Sequence, residues 1–161
     1  MNQLKKISLT ALTALSLVGA SVALLPQSAS ATTNGIDTTV VDEKWGKPTF
    51  IYGGGLSENQ LNETEKLLKI KDPENVAIDS VTGQDLINYL GEGSGNTSSM
   101  ISSVLVQKQD TGEGVDVKIV TPENISQITQ DQYANAAITA GVNDVKIEVA
   151  SVSKVTGESA L

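Results

Sequence analysis

A helix-start phrase occurs three times along this chain, and its spacing limits the fold more than any other feature. At Ser57, Thr82 and Thr129 a hydroxyl stands where it can accept from the orphan amides of a first helical turn, and Gln60, Asp85 and Gln132 follow at the position that reaches back. An apolar residue precedes each cap and another follows the box: Leu56 with Leu61, Val81 with Leu86, Ile128 with Tyr133. These pairs suit a hydrophobic staple. The spacing predicts helices near 58–70, 83–90 and 130–140, the last closed by Gly141 as a left-handed cap. In the third, Tyr133, Ala136, Ala137 and Ala140 form one stripe of mostly small side chains that can lie close on a sheet, and core packing suffices to explain it. A shorter turn is expected at Thr121-Pro122.

Strand patterns fill the intervals. Residues 48–52, PTFIY, lie between Pro48 and Gly53-Gly54-Gly55 and read as a short buried strand, and 75–79 as another. Residues 100–107 are apolar on both faces, with Met100, Val104 and Val106 on one and Ile101 and Leu105 on the other, as in a central strand. Val115, Val117 and Ile119 alternate with Asp116 and Lys118, and Val145, Ile147 and Val149 alternate with Lys146 and Glu148, so each of these strands is expected to have a wet face. The loop 110–114 is expected to close a hairpin between the central strand and the next. The order β-α-β-α-β-β-α-β makes this an α/β fold, a mixed sheet with helices packed on it.

The amino terminus is of another kind. Lys5-Lys6, an apolar stretch over 7–25, Pro26 and the triplet Ala29-Ser30-Ala31 make residues 1–31 a secretory signal peptide, cleaved between Ala31 and Thr32. The run is nearly long enough to span a bilayer, but Ser and Thr interrupt it and a cleavage triplet follows, so no stable membrane anchor is expected after processing. Residues 32–39, small and polar without period, read as a flexible lead, and 40–161 as a single α/β domain. Processing leaves nine lysines against nineteen acids, a formal charge of -10, which repels nucleic acid and anionic membranes. With no cysteine, a secreted domain of this size is held by its core alone, and at this length roughly two-thirds of the unfolded chain's surface can be buried.

The same inventory excludes most catalytic chemistry. The chain has no His, Cys or Arg, hence no Ser-His-Asp triad, no thiol nucleophile, no Cys/His zinc site and no bidentate phosphate clamp. No pattern calls for a cofactor. A carboxylate pair remains chemically open, but nineteen acids on one domain bring some pair together by chance. Three loops stand out. Gly53, Gly54, Gly55 and Ser57 form a candidate ligand loop, where free amides at a helix start could hold an anion, although the glycines suffice to turn the backbone. Residues 92–98, rich in Gly and hydroxyls, could rim a carbohydrate or peptide site, although a plain connector explains them. Asp110, Glu113 and Asp116 could bind calcium weakly outside the cell, but their spacing is not that of an EF-hand and a solvated loop tip explains them.

Residues 155–158, VTGE, repeat the wording of 81–84, VTGQ, yet only five residues follow Thr156. Five residues cannot hold a helix together, so the chain is expected to be part of a longer protein. The segments WGKPTFIYGGGLS, SSVLVQK, GVDVKIVTPENI, QYANAAITAGV and VASVSKVTGESAL resemble the secreted Firmicute proteins of domain-of-unknown-function family 1002, over 44–161 and most specifically over 116–161. That resemblance implies an extracytoplasmic Gram-positive protein, members roughly twice this long, and no catalytic motif to transfer. The resulting expectation is a non-enzymatic module that binds an envelope protein or wall component. The alternative is a carboxylate-based hydrolase of wall glycan, which would need a buried carboxylate in a cleft.

Overall fold

The computed structural model describes residues 35–91 and 93–161. The expected signal peptide and the junction of Ala31 and Thr32 lie outside the described residues. Five strands and three helices follow in the expected order: β1 (Thr49–Gly53), α1 (Glu58–Leu67), β2 (Ala77–Val81), α2 (Gly83–Leu90), β3 (Ser103–Lys108), β4 (Val115–Ile119), α3 (Gln130–Thr139) and β5 (Val145–Ala150). All three capping boxes form, with the hydroxyls of Ser57, Thr82 and Thr129 each accepting from the amide three residues on and their own amides donating to that residue's side chain. Gly141 takes a positive φ of 83° after α3. Several boundaries differ from the sequence reading: β1 runs over Thr49–Gly53 and not 48–52, and α1 ends at Leu67 and not near 70. The chain at Pro73–Asn75 makes a 3-10 turn, which shifts the second strand from 75–79 to Ala77–Val81. The central strand starts at Ser103 because the carbonyl of Met100 turns aside to accept from Gly55 at 2.9 Å.

The sheet order is β2-β1-β3-β5-β4, with β1 parallel to β2, β4 parallel to β5, and β3 antiparallel to both neighbours. This corrects the hairpin. β3 and β4 do not pair, because β5 returns from α3 and inserts between them, so residues 110–114 span a strand's width. Asp144, just before β5, accepts from the amides of Gly112 and Gly114 at 2.8 and 3.0 Å and ties down that wide loop.

The same insertion removes the wet face expected of β5. Glu148, read as solvent-facing, is only 5% exposed. It stands opposite Leu105 and Lys118 in the register, with the Lys118 ammonium 4.0 Å away and residue 35 lying over it. Within the stretch read as a lead, Ile36 and Thr38 are buried, and the Thr38 hydroxyl donates to the carbonyl of Lys69 while accepting from the amide of Lys71.

Two apolar layers hold the sheet. On one face Phe50, Leu105 and Ala150 pack with Leu68 and Val76, and Leu61 and Leu67 of α1 close over them. On the other, Val104, Val117, Ile147 and Val149 pack with Tyr133 of α3 and Ala160 near the chain's end. Side chains alternate across a strand, so α1 and α3 lie on opposite faces. The Tyr133 hydroxyl donates to the carbonyl of Gly157 at 2.8 Å, and the hydroxyls of Ser102 and Ser159 meet at 2.6 Å, which fixes the last residues against the sheet.

Candidate functional site

The structure brings Gly53, Gly54, Gly55 and Ser57 together at the end of β1, but their amides face inward. Gly54 donates to Val81, Gly55 to Met100 and Ser57 to the Gln60 side chain, at 2.8, 2.9 and 3.0 Å. Glycine is required here by close approach. A Cβ on Gly53 would lie 2.2 Å from the Met100 carbonyl, and one on Gly55 2.5 Å from that of Thr97. Residues 97–100, the first two of which end the stretch considered as a binding rim, therefore act as a wedge over the ends of β1 and β2. Thr97 also accepts from the amide of Gly83 at 3.1 Å.

A more open arrangement lies at the other end of β3 and β5. The turn at 42–46 is built by Asp42, whose carboxylate accepts from the amides of Lys44 and Trp45 at 2.8 and 2.9 Å, while its carbonyl accepts from Gly46 at 2.8 Å. Gly46 takes a φ of 75°, which lets the chain double back and present Trp45. Across from it runs the loop after β3, tied to Asp144. The Lys44 ammonium joins the two lips, pairing with the carboxylate of Asp110 while lying 4.3 Å from the centre of the Trp45 ring.

Between the lips is a cleft of about 290 Å³. Trp45, Gln107, Gln109 and Lys146 line it together with the carboxylates of Asp42 and Asp110. Asp37 and Glu113 complete its acidic rim. The hydrogen bonds that Thr39 gives to Asp37, from hydroxyl and then amide, hold that carboxyl below its ordinary range. All four acids are exposed. An indole beside amides and carboxylates offers stacking for a sugar ring and acceptors for hydroxyls or amines. Acids in open solvent lack the desolvation that makes a carboxyl a general acid. Glu148, the buried carboxylate, is not among the lining residues.

Of the three carboxylates considered for calcium, Asp110 and Glu113 reach this cleft, whereas Asp116 lies in β4 opposite Lys146. Among the described residues no group of three or more acids converges as a metal site would require, and no helix is long and apolar enough to cross a membrane. Sequence reasoning missed Trp45, Asp42, Gln107 and Gln109 as a set. The one available signal was the chain's single tryptophan, placed in a polar K-W-G turn rather than in a strand.

Comparison with known proteins returns a family profile described as "Protein of unknown function (DUF1002)", matched over residues 52–161. A curated relative, "Uncharacterized protein YpuA" of Bacillus subtilis (strain 168), is 33% identical over 127 residues, which are 76% of this chain and 42% of the relative. The chain thus spans less than half the length of that protein. No solved structure matches.

Proposed function

The chain belongs to the DUF1002 family of proteins of unknown function, and from that premise we propose that it is an extracytoplasmic binding module, not an enzyme, that holds a component of the cell wall in the Trp45 cleft. The observation that carries this reading is the pairing of the single tryptophan with amide and carboxylate side chains in one open cleft. Its acidic rim favours a neutral or amine-bearing wall glycan or peptide and disfavours phosphate-bearing polymers. Export follows from the Lys5-Lys6, apolar-run and A-x-A order at the amino terminus.

The test is co-sedimentation of the processed protein, starting at Thr32, with purified Gram-positive wall sacculi. The protein is expected in the pellet, and Trp45→Ala in the supernatant with an unchanged urea midpoint. Equal pelleting of both, or of neither, overturns the reading. For export, amino-terminal sequencing of protein from the medium is expected to begin at Thr32, and an intact Met1 in the membrane fraction would contradict it.

A further inference from the structure

The face of the sheet that carries α3 is only partly covered. Two adjoining cavities lie there, of about 500 and 190 Å³, and both are lined by Ala136, Ala140 and Leu161. The larger runs between α3 and the apolar side of α2, where Leu86, Tyr89 and Leu90 reach it. Tyr89 is 86% exposed and Leu161 40%. The stripe of small residues on α3 accounts for the opening, since Tyr133 fills the core at one end while alanines at the other leave the trough unfilled. The trough shares no lining residue with the Trp45 cleft.

We propose that this trough is the bed for the polypeptide that follows Leu161 in the longer proteins of the family, packed as an amphipathic helix continuing the turn at Glu158–Ala160. The matched stretch makes up only 42% of the Bacillus subtilis relative, so a family member carries far more chain than is seen here. Residues 155–158 repeat the wording that opens α2 at 81–84, but Gly157 takes a φ of 108° where Gly83 is helical, and the chain turns into a 3-10 helix at Glu158–Ala160, with the Thr156 hydroxyl accepting from the Glu158 amide at 3.5 Å. That turn delivers Leu161 directly into both cavities.

Charge argues against a second copy of this chain as the occupant. The carboxylates lining the larger cavity are Asp85 and Glu158, and the processed chain carries a formal charge of -10. A segment with an apolar stripe edged by lysines matches that lining.

The chain has no cysteine, so a single thiol at the trough reports its occupancy. Tyr89→Cys, at a site exposed enough to leave folding intact, would be introduced into the 161-residue chain and into the same chain extended past Leu161 by its own gene. Glu63→Cys on the opposite face serves as control. The maleimide labelling rate at position 89 is expected to fall by about tenfold or more in the extended protein, at every protein concentration, while position 63 labels equally in both. Equal rates at position 89, or a reading frame that stops at Leu161, overturn the proposal. Protection that appears in the 161-residue chain and grows with its concentration also overturns it, in favour of a second copy.

Discussion

Two parallel strand pairs flank β3, and they are buried to very different degrees. In the β4–β5 pair, β5 stands inside the sheet with α3 on one face and residues 35–38 on the other, and five of its six residues are buried. In the β1–β2 pair, β1 is covered by α1, but β2 is an outer strand with four of its five residues exposed, Ile78 at 49%. Both pairs carry parallel hydrogen bonding and a crossover helix. The difference shows that burial here follows sheet position and what covers each face, not the apolar content of the strand. Asp79 in β2 also discourages pairing of that open edge with another chain.

The comparison predicts a graded response to substitution, read as urea midpoints. Leu105→Ala, in the strand both pairs share and fully buried, should cost about 2–5 kcal/mol. Gly53→Ala should cost about 1–3 kcal/mol, because the new Cβ must displace the Met100 backbone. Tyr133→Phe leaves the Gly157 carbonyl without its donor and should cost about 1–2 kcal/mol. Ile78→Ala, on the open edge, should change stability by less than about 0.5 kcal/mol. An Ile78 effect as large as that of Leu105 would break the comparison, because it would mean that β2 is covered in solution.

Titration sharpens the same contrast. Burial pushes the Tyr133 hydroxyl well above its ordinary value of 10.0. The unfolded chain gives up that proton first, so this contribution is complete below about pH 10 and is lost as pH rises beyond it. Tyr133→Phe should flatten the alkaline limb of the stability curve. Asp85 behaves in the opposite sense. The bonds it accepts from the Thr82 hydroxyl and amide hold its carboxyl below 3.8, so its contribution is present above that value and fades as pH falls through it. Asp85→Asn should flatten the acid limb, which a urea series at low pH would show.

Local and non-local information explain which features were legible. The three capping boxes were readable because each is decided within four residues, and the helices they open start where the spacing put them, although α1 ends at Leu67 and not near 70. The sheet order was not. Nothing within 103–119 announces that β5, starting only at Val145, will separate β3 from β4, and the alternation around Glu148 reads as solvent-facing until that insertion is known. The cleft is non-local in the same way. Asp110 and Glu113 stood out in sequence as acids, but Trp45 meets them only because the turn at Asp42 folds back beside the end of β3.

Trp45 is the only tryptophan, so excitation at its absorption edge reports the cleft and nothing else. The most direct test of wall binding is a titration of processed protein with soluble wall fragments, following that emission. The expected result is a saturable change in intensity or wavelength that added inorganic phosphate leaves intact. An emission spectrum that stays constant through saturating fragment, while the fold remains intact, would contradict it.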